Sequence, residues 1–330
     1  HILIIRLSAF GDVAMTVPVI SVLRTQNPEI KITILTKKFF SALYNQIPDI
    51  NFLFFNPKHK SVLGLFQLSR EICKIKPDQI IDLHDVLRTK TLRLFLSFRF
   101  KNIFVINKGR REKESLIKGL NFSRLKSMHQ RYADIFSYLE IDINLDSFTP
   151  YRKIKIDEKN HEFNLNNKLV GIAPFARHSC KEYSLTNILK LIDLIDPSHQ
   201  ILIFGAPIEE DKIKNIVAKK RNVFIISSKY SLDEQMAIIS NLDIMISMDS
   251  ANGHVAALFG LNVITIWGAT HPYSGYGPIN QPDENSIIPD LNLFPKIPVT
   301  IYGSNCPEDY VNAINSISPK KILERISVLI

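Results

Sequence analysis

Cysteine is scarce in this chain: Cys73, Cys180 and Cys306 are the only three in 330 residues. They are scattered and odd in number, with no metal-binding spacing and no disulfide framework, so a reducing, cytoplasmic setting is expected. Long apolar runs are missing too. Nothing approaches the roughly 20 residues a membrane-spanning helix needs, and the opening Ile2-Leu3-Ile4-Ile5 is too short for a signal-peptide core. The G-x-G-x-x-G fingerprint is absent, which disfavours a dehydrogenase, and so is the Gly-Lys-Ser/Thr phosphate loop. No D-x-D carboxylate pair occurs, so no dedicated metal–diphosphate site is indicated. A recognition-helix motif and the aromatic–basic interleaving of single-strand binders are also missing, which argues against a basic nucleic-acid-binding protein.

What is present suits a large α/β protein. Hydrophobic residues make up 45% of the chain, and the length favours two domains over one. The net charge of +9 is unevenly spread. Residues 1–150 hold 23 Lys and Arg against 13 Asp and Glu, a balance of +10, while residues 151–330 hold 18 against 19, a balance of −1. A field confined to one half attracts an anionic partner: nucleic acid, a membrane surface or a phosphorylated substrate. Solvated lysines on helices account for part of the excess but not for its asymmetry.

In the first half, short apolar runs predict strands at residues 2–7, 31–35, 51–55, 79–83 and 102–106, with helices over 13–25 and 131–139. The polar stretch 142–167 reads as an interdomain connection with an edge strand at 152–156. The pattern then restarts: strands at 169–174, 200–204, 223–226, 244–247 and 263–267 alternate with helices at 184–193, 208–218, 232–241 and 252–259. Residues 277–298 read as irregular, and a last helix begins near Ser318-Pro319. Strand–helix alternation implies parallel sheets covered on both faces. The expected architecture is therefore two Rossmann-like doubly wound domains, 1–150 and 151–330, facing a central cleft, with the last helix free to pack back on the first domain.

Three constellations stand at strand-to-helix junctions. Met248-Asp249-Ser250-Ala251-Asn252-Gly253-His254 lies between two apolar runs. An Asp-Ser pair there caps a helix whose first-turn N–H groups suit a phosphate, and His254 falls near enough to face the same crevice. An ordinary capped helix with a buried His is the competing reading. Asp12 follows the first strand, beside Gly11, which permits close approach of a ligand. It can take a proton from an attacking hydroxyl or serve only as a helix cap. Arg177 and Lys181 follow the strand at 169–174, where two cations can neutralise a diphosphate leaving group or simply be exposed loop charges.

These residues, in this order, resemble glycosyltransferase family 9, the bacterial heptosyltransferases. The likeness is carried by Ile4-Ile5-Arg6-Leu7-Ser8-Ala9-Phe10-Gly11-Asp12-Val13 with Thr16 and Pro18, by Asp82-Leu83-His84-Asp85-Val86-Leu87-Arg88-Thr89, and by Gly171 through Lys181. It continues in Ser231 through Asp243, in Asp249-Ser250 with His254, and in Gly268-Ala269-Thr270-His271-Pro272. The resemblance implies a GT-B fold and inverting transfer of heptose from an ADP-activated donor to a lipopolysaccharide core or lipid A–Kdo acceptor, with no cofactor. By position, Asp12 becomes the general base and Lys181 a diphosphate contact. Asp249, Ser250 and His254 line the donor site together with Gly11, Arg177 and Ala251.

The basic first domain then faces an anionic glycolipid, with Arg88, Lys108, Arg110 and Arg111 as candidate acceptor contacts and peripheral contact at the cytoplasmic face of the inner membrane. The segment from Lys108 to Lys113 reads equally as an exposed turn. The same fold and mechanism also suit another nucleotide sugar used for surface polysaccharide. Three departures from the family pattern are visible: Ala251 where Gly is usual, Tyr183 where Trp is frequent, and Cys306 almost alone near the C-terminus where many members carry several cysteines.

Overall fold

A computed structural model describes residues 1–156, 161–217, 220–227 and 229–330. Its contacts divide the chain into two units, one of His1–Lys108 with Met128–Thr149 and one of Gly109–Ser127 with Pro150–Ile330.

The first unit is built on β1 (Ile2–Ile5), β2 (Ile32–Thr36), β3 (Ile50–Phe54), β4 (Gln79–Asp82) and β5 (Ile103–Val105). All strand pairs are parallel, in the order β3-β2-β1-β4-β5. The four residues of β1 are all buried, as expected of a strand covered on both faces. The helix expected over 13–25 is two helices, α1 (Phe10–Ala14) and α2 (Val17–Gln26). Pro18 has no N–H to offer the Ala14 carbonyl, so the first helix ends and a second starts.

Two helices that the sequence reading did not single out, α3 (Val62–Ile75) and α4 (Leu87–Ser97), cover the sheet. Leu65, Leu68 and Ile72 of α3 and Leu92 and Leu96 of α4 pack with Leu3 and Ile5 in one core. The segment after β5 forms α5 (Arg110–Ile117), which groups with the second unit, and α6 (Met128–Asp134) belongs to the first. The helix expected over 131–139 is the end of α6 followed by a 3-10 turn, Ile135–Leu139.

The second unit holds β6 (Leu169–Ala173), α7 (Leu185–Leu194), β7 (Gln200–Phe204), α8 (Glu210–Val217) and β8 (Val223–Ile226). It continues with α9 (Leu232–Ser240), β9 (Ile244–Met248), α10 (Ala251–Leu258), β10 (Asn262–Ile266), β11 (Ser286–Ile287) and α11 (Pro319–Leu329). Its sheet is parallel, ordered β11-β10-β9-β6-β7-β8. Ile172, Ile246 and Ile264 of the central strands share a core with Ile188 and Leu191 of α7 and with Ile322 and Ile326 of α11. The last helix is thus part of this unit's own core. Its start is set by Ser318, whose side chain accepts from the Lys321 N–H, and by Pro319 in the first turn.

Two expectations for this half need correction. Residues 152–156 form no strand. Instead the Ile154 N–H donates to Ser240 Oγ at 3.0 Å and its carbonyl accepts from Asn241 Nδ2 at 2.8 Å, so side chains at the end of α9 take the place of a strand partner. The stretch 277–298 is irregular except for a 3-10 turn, Asp283–Asn285, and β11, which pairs Ser286 with Thr265 and Ile287 with Ile266. Residues 157–160 of the expected connection, and Ala218 at the expected end of the helix over 208–218, lie outside the described residues.

Candidate functional site

In each unit the chain winds outward in both directions from a central pair of adjacent strands. The loops leaving the C-terminal ends of that pair form the switch point, where α/β sheets bind ligands. In the first unit the pair is β1 and β4. Arg6, just past β1, is almost fully buried. Its Nη2 lies 2.8 Å from Asp12 Oδ2 and its Nη1 donates to the Leu83 carbonyl at 2.6 Å. The guanidinium also sits 5.6 Å from the Tyr132 ring centre. The Ala9 N–H reaches the same Asp12 oxygen at 3.3 Å. Among the described residues both contacts of this carboxylate fall on Oδ2 and none on Oδ1. Gly11 sits beside it in helical backbone.

The β4 loop is shaped by Asp82, whose Oδ1 accepts from the His84 and Asp85 N–H groups at 2.8 and 3.0 Å while Oδ2 pairs with Arg93 at 2.7 Å. His84 Nε2 lies 3.3 Å from Ser8 Oγ, joining the two loops. Arg88 stacks over Phe55, and Lys108 Nζ donates to the Asp85 carbonyl at 3.4 Å. Burial, reinforced by the charges of Arg6, Lys108 and Arg88, lowers His84 from 6.5 to about 3.

In the second unit the pair is β6 and β9. Lys181 closes a 3-10 turn after β6, and its Nζ meets Asp249 Oδ2, at the end of β9, at 2.6 Å. Thr270 Oγ1 donates to that oxygen at 3.1 Å. Side-chain exposures of 12% for Lys181 and 7% for Asp249 make this a buried pair. The turn is clamped from outside: the Ala269 N–H donates to the Cys180 carbonyl at 3.1 Å, and a Cβ on Gly268 would stand 1.9 Å from that same oxygen. Glycine is thus required at 268 for Lys181 to sit where it does.

Ser250 occupies the cap position of α10 but makes no cap hydrogen bond. Its hydroxyl lies 3.0 Å from Ser247 Oγ. Among the described residues, the Ser250 side chain therefore takes none of the first-turn N–H groups of α10. His254 is buried one turn in.

Residues 65–295 match the model of glycosyltransferase family 9 (heptosyltransferase). The chain belongs to this family. It is 26% identical over 295 residues to lipopolysaccharide heptosyltransferase 1 of Campylobacter coli, covering 82% of this chain and 85% of that one. A family 9 glycosyl transferase structure from Veillonella parvula aligns with a TM-score of 0.75 at 19% identity, over 99% of this chain and 96% of that one. The structure of ADP-heptose lps heptosyltransferase II from E. coli aligns at 0.71 and 17% identity, over 99% and 98%. The fold is GT-B, two parallel-sheet α/β domains.

Within this glycosyltransferase, the anticipated donor residues Lys181, Asp249, Ser250, Ala251 and His254 gather on adjoining elements of one sheet edge. Arg177 is on the same β6 loop, exposed and with no ion pair among the described residues. Gly11 is in the first unit with Asp12. Ala251 has ordinary helical backbone at the first position of α10, so this chain needs no glycine there for its backbone shape.

Of the acceptor candidates, Arg88 and Lys108 flank His84 in the first unit, whereas Arg110 and Arg111 start α5 in the second. The stretch from Lys108 to Lys113 is a helix start rather than an exposed turn: Gly109 caps it at φ 61°, and Lys113 is buried with its Nζ 2.9 Å from Tyr276 Oη. Arg6, His84 and Thr270 had no role assigned from sequence. For Arg6 the signal was a charged residue inside an apolar strand run. The fold also gathers two of the scattered cysteines, Cys180 and Cys306, into one apolar cluster. Burial pushes both thiols up, Cys306 to about 12, so neither is poised as a thiolate.

The buried histidines carry a pH prediction. Burial together with Arg124 lowers His271 to about 4, alongside His84 at about 3. Both stay neutral in the folded state where the unfolded chain takes up protons. Stability is therefore complete above about pH 6.5 and falls as pH drops through the window toward those values. The melting temperature of His84→Gln is expected to fall less steeply than that of the wild type from about pH 6.5 to about pH 4; identical slopes would remove His84 from this explanation.

Proposed function

We propose that this glycosyltransferase moves heptose from ADP-heptose to a lipopolysaccharide-core or lipid A–Kdo acceptor, inverting the anomeric centre. The observation that carries the chemistry is Asp12, whose Oδ2 is held by Arg6 and the Ala9 N–H while Oδ1 has no partner among the described residues. In this reading Oδ1 takes the proton of the acceptor hydroxyl as its oxygen bonds to the anomeric carbon. The bond from that carbon to the diphosphate oxygen breaks, and ADP leaves with the electron pair.

Lys181, Arg177 and the α10 N–H groups are suited to the charge that develops on the diphosphate. They serve in place of a metal or other cofactor. Asp249 and Thr270 hold Lys181 in position, and Ser250, Ala251 and His254 border the nucleotide. A lipopolysaccharide heptosyltransferase and an ADP-heptose lps heptosyltransferase among its relatives support this choice of donor and acceptor.

Arg88 and Lys108 supply positive charge beside Asp12 for an anionic glycolipid. No helix among the described residues is long and apolar enough to cross a membrane. In this reading such an acceptor is reached from the cytoplasmic side.

The purified protein's melting temperature in the presence of ADP, UDP, GDP, CMP and NAD tests the donor assignment. A ligand that binds only the folded state raises it by mass action. ADP is expected to give the largest rise. A rise with UDP or GDP instead would keep the fold and mechanism but discard ADP-heptose, and a rise with NAD alone would contradict the reading.

A further inference from the structure

The first unit carries an apolar face that nothing in the unit covers. On α4, Leu87 and Leu94 are 82% and 60% exposed, and Phe98, in the residue after the helix, is 85% exposed. Their spacing of i, i+7 and i+11 puts them in one stripe along the helix. Helix α3 packs against α4, with Phe66 and Phe95 edge to face at 5.6 Å. It adds Val62, Leu63 and Phe66, exposed by 63%, 76% and 49%. Isolated exposed apolar residues are ordinary, but a cluster of this size on two neighbouring helices marks an interaction surface.

The charge around it is predominantly basic. From Val86 to Lys108 the chain holds six Lys and Arg and no Asp or Glu. Lys90, Arg99 and Lys101 are exposed beside the α4 stripe, and Lys58 and Lys60 are exposed just before α3. The only acid on α3 is Glu71, which is paired with Lys58 at 2.9 Å. A patch that is both apolar and net basic repels its own copy and disfavours a homodimer through this face. It matches an anionic bilayer, which takes leucine and phenylalanine side chains below the headgroups and lysine and arginine among them.

The face is also joined to the candidate acceptor site. Helix α4 begins two residues after Asp85, and Arg88 in its first turn acts on His84 beside Asp12.

We propose that the α3–α4 face of the first unit is a docking surface for an anionic lipid bilayer. The proposal deepens, and rests on, the reading that the acceptor is lipid-borne. Docking would present the C-terminal edge of the first sheet to sugars rooted in the same bilayer.

The test is co-sedimentation of the full chain with phosphatidylethanolamine–phosphatidylglycerol vesicles and with neutral phosphatidylcholine vesicles, at low and raised salt. It compares the wild type with the double variant Leu94→Glu/Phe98→Glu. Both positions are exposed, so folding is not at stake, and an unchanged melting temperature checks this. Wild type is expected to bind the anionic vesicles and to release as salt rises. The variant is expected to bind at least about tenfold more weakly, since each large apolar side chain removed from a bilayer contact is worth on the order of a factor of ten.

Heptose transfer to a core oligosaccharide freed of its acyl chains is expected to be the same in both proteins. Absence of wild-type binding, equal binding by the variant, or equal binding to neutral vesicles would overturn the proposal. So would concentration-dependent self-association that the variant abolishes. Failure of transfer to the soluble acceptor with vesicle behaviour as expected would overturn the functional reading and leave the docking surface standing.

Discussion

Asp12→Asn is expected to lower the rate of sugar transfer by about 10²–10⁴-fold, the usual worth of a positioned general base, while ADP affinity stays within about twofold. The amide keeps the shape of the carboxylate and loses its ability to take a proton. The separation of the two effects follows from the fold: Asp12 lies in the first unit, and the cluster suited to the diphosphate is built entirely from the second. Arg6 is almost fully buried and pairs with this carboxylate at 2.8 Å. Removing the negative charge should therefore also lower the melting temperature. That loss has to be measured alongside kcat, so that a rate change is not mistaken for partial unfolding. Retained activity, or lost ADP binding in a folded variant, would remove Asp12 from the role of base.

Lys181→Ala is expected to weaken ADP binding by about 30-fold or more, because truncating one partner of a buried charge pair costs about 2–5 kcal/mol. Two effects add in the same direction. The cation facing the diphosphate is gone, and Asp249, no longer neutralised at 2.6 Å, presents its negative charge to an anionic ligand. Asp249→Asn should be milder for ADP, since Lys181 keeps its charge and loses mainly its orientation. The double variant Lys181→Ala/Asp249→Asn should bind ADP better than Lys181→Ala alone, a non-additivity expected of residues in contact. Isothermal titration of the four proteins with ADP reads this order. Equal affinity of Lys181→Ala and wild type would take the lysine out of the nucleotide site.

Much of this organisation was legible in the sequence because parallel sheets write plainly. Buried strands such as Ile2–Ile5 and Ile244–Met248 are unbroken apolar runs, and the polar residues at their ends fall where the loops of a doubly wound fold converge. Asp12, Lys181 and Asp249 could each be picked out on that ground.

Side-chain pairings and close backbone approaches were not legible. Nothing in the spacing of Arg6 and Asp12 says that the guanidinium turns back onto one carboxylate oxygen. Nor does the chain between residues 180 and 270 show that Gly268 is needed for the Cys180 carbonyl to pass. The first is set by the path of the loop after β1, and the second by the pairing of β6 with β9 and β9 with β10, which depends on long-range contacts. The expected strand at 152–156 failed for a related reason: its backbone groups found Ser240 and Asn241 side chains before they could find a strand edge. Likewise α3 and α4 bury only one stripe each and leave leucine and phenylalanine outside, so their mixed faces blurred the periodicity.

The most direct test of the central claim is to incubate the purified protein with ADP-heptose and a heptose-deficient lipopolysaccharide acceptor, following ADP release and the anomeric configuration of the product. Acceptor-dependent ADP release and a product of inverted configuration are expected, with the rate about 10²–10⁴-fold lower in Asp12→Asn. A product of retained configuration, or transfer that proceeds with a UDP- or GDP-sugar and not with ADP-heptose, would contradict it.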